Sequence, residues 1–322
     1  MKFATFRRGD EIRLGIVWKD KVIDFNAGSR LLCKNGKGGA GKPFPHLDMR
    51  GFLAQGTSAI RMARKVEAWI RKQAEGKSRF SLRGLVFDVS KVKLMAPLNN
   101  PPKIMCLARN YASHIREVSE VEPLPEDILI FMKPTTAIIG PDDPIIIPPE
   151  CRLLDHEVEL AVVVGKKGRH IPEEKAMEHL AGYTILNDIS DREYRQQKNP
   201  PFMVNWFFMK AQDTFAPLGP FLVWKDEIKD PHALNLRLWV NGELRQDSAR
   251  EEMVFKIPVI LSRISRFVTL EPGDIIATGT PTGTSFGSQK YLKGGDVVEC
   301  EIEGIGRLRN SIKMEKPVYR TR

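Results

Sequence analysis

Apolar and polar residues alternate along MKFATFRRGDEIRLGIVWKDKVIDF at the start of the chain, the period of two that paired strands show, and the stretch reads as a hairpin. The period changes to that of a helix further on, where Ile60, Ala63, Val66 and Ile70 recur through the basic run Arg61–Lys77; this predicts a surface helix with a solvated basic face. Between them KNGKGGAGKPFP reads as a surface loop, and a short strand is expected around Leu85–Val89. After LMAPLNNPPK, whose prolines and asparagines mark a boundary, strands dominate. IMCLA, ILIFM, PIIIP, VELAVVV, GYTILND, GPFLV, LNLRLWV, DIIATG and DVVECEIEG are short, rich in β-branched residues and bounded by turn formers. Helical patterns are confined to Tyr111–Glu120, Glu173–His179, Ser190–Gln197 and Val254–Arg266, and Asn241–Glu243 reads as a hairpin turn. The pattern is α+β and strand-rich, a sandwich or roll rather than a doubly wound sheet, and no internal repeat is visible.

One strand breaks its own pattern. In LLDHEVELAVVVG, Val158, Leu160, Val162 and Val164 share one apolar face, while Glu157 and Glu159 share the other with Ala161 and Val163. A face carrying alanine and valine is not simply solvent, and two like charges on it repel more as burial grows. Two readings fit: lysines pair with the glutamates on a half-exposed strand, or a divalent cation sits between them. Asp188, at the end of GYTILND, favours the second, because a strand end can present a third carboxylate into a cleft. Three carboxylates with no nearby histidine or cysteine cluster select a hard cation, Mg²⁺, Mn²⁺ or Ca²⁺. His156 faces the opposite side and reads as structural.

Composition narrows the picture without deciding it. The 322 residues are 42% hydrophobic, ordinary for a globular protein. No apolar run approaches the roughly 18–20 residues of a membrane span, and the first residues lack the apolar stretch of a signal peptide, so a cytoplasmic protein is expected. Cys33, Cys106, Cys151 and Cys300 form no CxxC pair and read as small apolar residues. The net charge of +10 is spread among interspersed acids, which suits a small anionic substrate better than nucleic acid.

Beyond these features, ARNYASHIRE, FMKPTTAIIGPDDPI, DHEVELAVVVGKKGRHI, GYTILNDISDRE, MKAQDTFAPLGPFLV, NGELRQDS and LEPGDIIATGTPTGT together resemble the fumarylacetoacetate hydrolase family, from about Pro101 to Lys313. The resemblance implies a mixed β-sandwich roll over 96–322, a small N-terminal α+β domain over 1–95 and a homodimer. It also implies Mg²⁺ or Mn²⁺, with Ca²⁺ able to take its place, held by Glu157, Glu159 and Asp188.

The same resemblance assigns the remaining chemistry. His114 and Glu117, three apart on a helical turn, form a pair in which the carboxylate raises the basicity of the imidazole, enough to deprotonate a water. Lys210 is placed to stabilise a developing oxyanion or enolate. Thr280, Arg192, Lys133, Tyr111 and Gln212 are candidate substrate contacts. The implied reaction is C–C cleavage of an acylpyruvate or related 2,4-diketo acid to pyruvate and a carboxylic acid through a metal-chelated enolate. The alternative is isomerisation or decarboxylation of 2-hydroxyhepta-2,4-diene-1,7-dioate or 5-carboxymethyl-2-hydroxymuconate type, as in aromatic catabolism. Three departures bear on the choice. Ala108 replaces a glycine, and KAQDTF replaces KSFDTF. Arg195 stands where many hydrolases of the family carry a glutamine that orients water, with Gln196 next to it.

Overall fold

The computed structural model describes residues 1–34, 45–75, 82–118, 123–195, 204–248 and 253–316. A long sheet runs in the spatial order Val86–Asp88, Lys21–Asp24, Glu11–Trp18, Lys2–Arg8, Ala216–Trp224, Leu180–Asn187, Val158–Val164, Ile275–Ala277, Ile104–Ala108 and Leu129–Lys133. Every pair along this path is antiparallel except Ile275–Ala277 with Ile104–Ala108. A second sheet carries Glu243–Asp247, Leu236–Val240, Val297–Ile302, Gly306–Met314 and Ile145–Ile147. The strand-rich sandwich expected from the sequence is therefore what the chain forms.

The strand Val158–Val164 is buried over its whole length because both of its faces are covered. Val158, Leu160, Val162 and Val164 pack with Leu238, Val298 and Cys300 of the second sheet and with Ile257 and Ile260 of the helix Ile257–Phe267. Ala161 and Val163 face the other way, into a core with Phe3, Phe25, Phe52, Ile60 and Val66. That second core is roofed by the helices Phe25–Lys34, Met49–Ala54 and Thr57–Glu75. The first three strands form a meander rather than one hairpin, and Lys2–Arg8 pairs with Ala216–Trp224, so the sheet runs through from the N-terminal segment into the rest.

Local readings differ at a few places. The described part of the expected helix Ser190–Gln197 is not helical in the α sense: Ser190–Asp191 is a short strand paired with Leu154–Asp155, followed by a 3₁₀ turn Arg192–Arg195, and 196–197 lie outside the described residues. The two-residue pairing holds Asp191 and Ser190 extended, which overrides the polar helical pattern. Glu173–His179 is a 3₁₀ rather than an α-helix. The short helix Trp206–Lys210 was not anticipated, since its aromatic run carries no helical period and its start depends on the Asn205 side chain accepting from Phe208 N–H. Asn241 and Gly242 both take positive φ, as the tight turn between Leu236–Val240 and Glu243–Asp247 requires. The expected loop KNGKGGAGKPFP, apart from its two end residues, lies outside the described residues.

Candidate active site and metal centre

Antiparallel pairing brings the three acids together. Val158 lies opposite Asn187, which sets Glu157 beside Asp188; Asp188 N–H donates to Glu157 O at 2.8 Å and the Asn187 side chain accepts from Glu157 N–H at 3.0 Å. Glu159 follows on the same face. Oxygens of Glu157, Glu159 and Asp188 all lie within 4.8 Å of one another, and the residues are 5%, 1% and 0% exposed.

Cations from three directions meet this cluster. Lys210 Nζ is 2.7 Å from Glu157 Oε2 and 2.5 Å from Asp188 Oδ2. Lys133 Nζ is 2.6 Å from Asp188 Oδ1. Arg192 bridges Glu157 and Asp155, its Nε 2.8 Å from Asp155 Oδ2. Asp155, Glu157, Glu159 and Asp188 thus face Lys133, Arg192 and Lys210, leaving one negative charge uncompensated within ion-pair distance. That charge falls on Glu159, whose carboxylate accepts from Gly279 N–H at 2.8 Å and forms no ion pair among the described residues.

The titration behaviour follows from this arrangement. Burial, then the charges of Asp188 and Glu157, push the Glu159 carboxyl well above the usual range. Burial also works against ionised Glu157, but Lys210 and Arg192 outweigh it and hold that carboxyl well below its ordinary value. For Lys210, burial disfavours the ammonium while Asp188 and Glu157 more than offset it. Asp188 Oδ1 is buried and accepts no well-directed hydrogen bond despite the nearby Lys133. Three buried hard oxygen donors, a residual negative charge and an under-bonded carboxylate oxygen fit a divalent cation.

A cavity of about 260 Å³ opens over the cluster, lined by Glu157, Glu159, Lys210, Arg192, Arg195, His114 and Thr280, with an apolar wall that includes Leu107, Phe131, Trp206 and Met209. Phe131 and Trp206 stack with centroids 5.0 Å apart, and Lys210 Nζ stands 5.1 Å from the Phe131 centroid. On the helix Ala112–Val118, His114 Nδ1 is bonded to Glu117 Oε2 at 3.0 Å. Glu117 also accepts from Gly283 N–H at 2.8 Å and Thr284 Oγ1–H at 3.2 Å.

Several expected contacts sit elsewhere. Lys133 pairs with Asp188 and donates to Ile189 O at 3.1 Å, and it does not line the cavity. Tyr111 is buried in the core and bridges to Met253 rather than lining the cavity. The Gln212 amide donates to Phe208 O at 2.7 Å and is also outside the lining. Thr280 borders the cavity, but its hydroxyl donates to Val158 O and accepts from Gln246, both at 2.9 Å.

Asp155, Gln246 and Phe286 also belong to the site, although no sequence pattern assigns them a role. Asp155 accepts from Ser285 N–H, Phe286 N–H and Arg192, so it anchors the arginine that grips Glu157. Gln246 accepts from Val158 N–H and donates to Thr280 and Pro281 O, tying the second sheet to the strand that carries Glu159. The only advance signal was position: Asp155 lies two residues before Glu157, inside the recognised stretch DHEVELAVVVG.

Residues 103–313 match the family described as fumarylacetoacetate (FAA) hydrolase, C-terminal. The chain belongs to the fumarylacetoacetate hydrolase family. This fumarylacetoacetate hydrolase family member is therefore one of a group of metal-dependent enzymes, with hydrolases, isomerases and tautomerases among them. It is 40% identical over 319 residues to the Xenopus laevis protein named oxaloacetate tautomerase fahd2, mitochondrial, covering 97% of this chain and 90% of that one. Among solved structures it resembles a fumarylacetoacetate hydrolase (EaFAH) from psychrophilic Exiguobacterium antarcticum, with 30% identity, TM-score 0.73 and coverage of 98% of this chain and 100% of that one. It also resembles maleylpyruvate hydrolase from Sphingobium sp. SYK-6 in complex with manganese(II) and pyruvate, with 29% identity, TM-score 0.72 and the same coverages. The mitochondrial name of the frog relative differs from the cytoplasmic location expected from sequence. No helix among the described residues is long and apolar enough to cross a membrane.

Proposed function

We propose that the enzyme is a divalent-metal-dependent isomerase that interconverts the enol and keto forms of a short 2-oxo dicarboxylate, with oxaloacetate as the substrate and Mg²⁺ or Mn²⁺ at Glu157, Glu159 and Asp188. The observation that carries this reading is Arg195. Its guanidinium lies 4.0 Å from the Phe286 ring centroid and lines the same small cavity as Arg192 and Lys210. A guanidinium at that position suits a second substrate carboxylate, whereas a water-positioning role calls for an uncharged amide. The name of the frog relative supports the same choice.

The residues divide the work by position. His114 lines the cavity with Nδ1 engaged by Glu117, so Nε2 is the nitrogen that moves the proton. In ketonisation it takes the proton from the enol hydroxyl at C2 and returns it to C3; enolisation is the reverse, and the proton count balances. Lys210 places its ammonium at the cavity floor, where it opposes the negative charge that develops on the C2 oxygen. Phe131, Trp206 and Leu107 exclude water from one wall, which strengthens these interactions. A bound divalent cation supplies Lewis-acid polarisation of the 2-oxo group.

A second reading, C–C hydrolysis of an acylpyruvate to pyruvate and a carboxylic acid, is favoured by the same His114–Glu117 pair, which suits activation of a water, and by the likeness to maleylpyruvate hydrolase. The two part in one assay. Enol decay of oxaloacetate is followed by ultraviolet absorbance, and pyruvate release from oxaloacetate and from a panel of acylpyruvates by a coupled enzyme, each with Mn²⁺ and then with EDTA. Metal-dependent enol decay without pyruvate is the expected result. Pyruvate from acylpyruvates with no enol effect would replace tautomerisation by hydrolysis, and pyruvate from oxaloacetate would replace it by decarboxylation.

A further inference from the structure

One short segment, Gly279 to Gly287, reaches three separate acids of the site. Gly279 N–H bonds the uncompensated Glu159, Gly283 N–H and Thr284 Oγ1–H bond Glu117, and Ser285 and Phe286 N–H bond Asp155. Gly283 can present its N–H only as glycine: its φ is +94°, and a Cβ there would stand 1.9 Å from Arg245 O. Gly287 is different. It lies in the short helix Ser285–Ser288, and its backbone is one that alanine also adopts. What alanine lacks there is space, because a Cβ on Gly287 would stand 2.2 Å from Glu117 Cδ and Oε1 and 2.4 Å from Cγ. Those atoms belong to a side chain that can move, so the substitution displaces Glu117 rather than the backbone around it.

We infer that Gly287 is a positioning residue of the active site: by having no side chain it leaves the seat in which the Glu117 carboxylate is held against Gly283, Thr284 and His114. It acts through Glu117 on His114 and touches no substrate atom. The inference rests on the proposed use of His114–Glu117 as the proton-transfer pair. The seat joins the helix Ala112–Val118 to the segment whose other end holds a metal ligand, so the proton-moving group and the metal centre share one scaffold.

The test is Gly287→Ala, alone and combined with Glu117→Ala, measured on the full-length enzyme. In the single variant kcat is expected to fall at least tenfold, toward the roughly 10²–10⁴ contributed by a positioned acid–base group. Mn²⁺ affinity by calorimetry should stay within twofold, because Glu157, Glu159 and Asp188 are not displaced. A thermal double-mutant cycle supplies the readout independent of activity. Gly287→Ala should lower Tm in the wild-type background and leave it unchanged or raise it in the Glu117→Ala background, where the clash is gone and alanine is the better helix former. An equal Tm change in both backgrounds overturns the inference. A coupled cycle with unchanged kcat supports the seat and instead overturns the role given to His114–Glu117.

Discussion

Lys210 Nζ stands 2.5 Å from Asp188 Oδ2, with both side chains buried and the lysine also lining the cavity. The two residues come from a helix end and a strand end, and the ammonium also touches Glu157 at 2.7 Å, so one lysine holds two of the three clustered carboxylates. Ion pairs this deeply buried are costly to break by removing one partner, because the other charge remains in a low-dielectric site.

Lys210→Met is therefore expected to destabilise the metal-free enzyme by about 3 kcal/mol, the lower end of the usual cost, since Arg192 still pairs Glu157 and Lys133 still pairs Asp188. Saturating Mn²⁺ should recover part of the loss, and kcat should fall by roughly 10²–10³. Urea titrations in EDTA and in Mn²⁺ measure the first two. Equal stability to wild type in EDTA would show that the ammonium contributes nothing to holding the cluster.

Glu159→Gln should act with the opposite sign. Glu159 carries the uncompensated charge, and burial with Asp188 and Glu157 already disfavours its ionised form. The metal-free variant is expected to melt higher than wild type, by about 1.5 °C for each kcal/mol of repulsion removed. It should also lose the metal-induced stabilisation, which for wild type reaches about 2.7 kcal/mol at a hundred times Kd. Melting curves with and without Mn²⁺ decide it; a variant that melts lower without metal would mean that another group neutralises Glu159.

Arg195→Gln tests the choice of substrate. A charge-assisted hydrogen bond contributes about 1.5–3 kcal/mol, so kcat/KM for a 2-oxo dicarboxylate should fall about 10–100-fold while a monocarboxylate analogue changes little. Loss of the same size on both substrates would assign Arg195 to support of the cavity wall instead.

Glu117 gives a pH dependence of definite sign. Burial raises its pKa, but the His114 hydrogen bond and Gly283 N–H more than offset this, and the folded-state value lies below the ordinary one. A depressed carboxyl contributes stability that is complete above the unfolded value, roughly 4.3 for glutamate, and that disappears as the pH falls through the folded value. The stability difference between wild type and Glu117→Gln should be constant from pH 6 down to about 5 and shrink only at more acidic pH. A difference that grows on acidification would reverse the assignment.

Much of this was fixed by local pattern. The period of two along EVELAVVV put Glu157 and Glu159 on one face and four aliphatic residues on the other, and the structure has a separate core on each side. Because that alternation is a property of the extended backbone, no tertiary knowledge was needed to see that the acids required compensation. Asp188 stood out by its place at the end of GYTILND, and the family motifs then pointed to His114, Glu117 and Lys210.

Tertiary structure alone decided how the compensation is shared. Lys133, Lys210 and Arg192 meet the acids through three different elements, and only their arrival together shows that Glu159 is the one without an ion pair among the described residues. Side-chain direction and sheet register, not residue type, sent Tyr111 to the core, Gln212 to Phe208 O and Asp155 to Arg192. The same holds for Gly287, which reads as an ordinary glycine in TSFGS until Glu117, 170 positions earlier, is seen to fill the space where its side chain would be. Charge and alternation are written along the chain, but the distance between two side chains depends on every turn of the backbone between them.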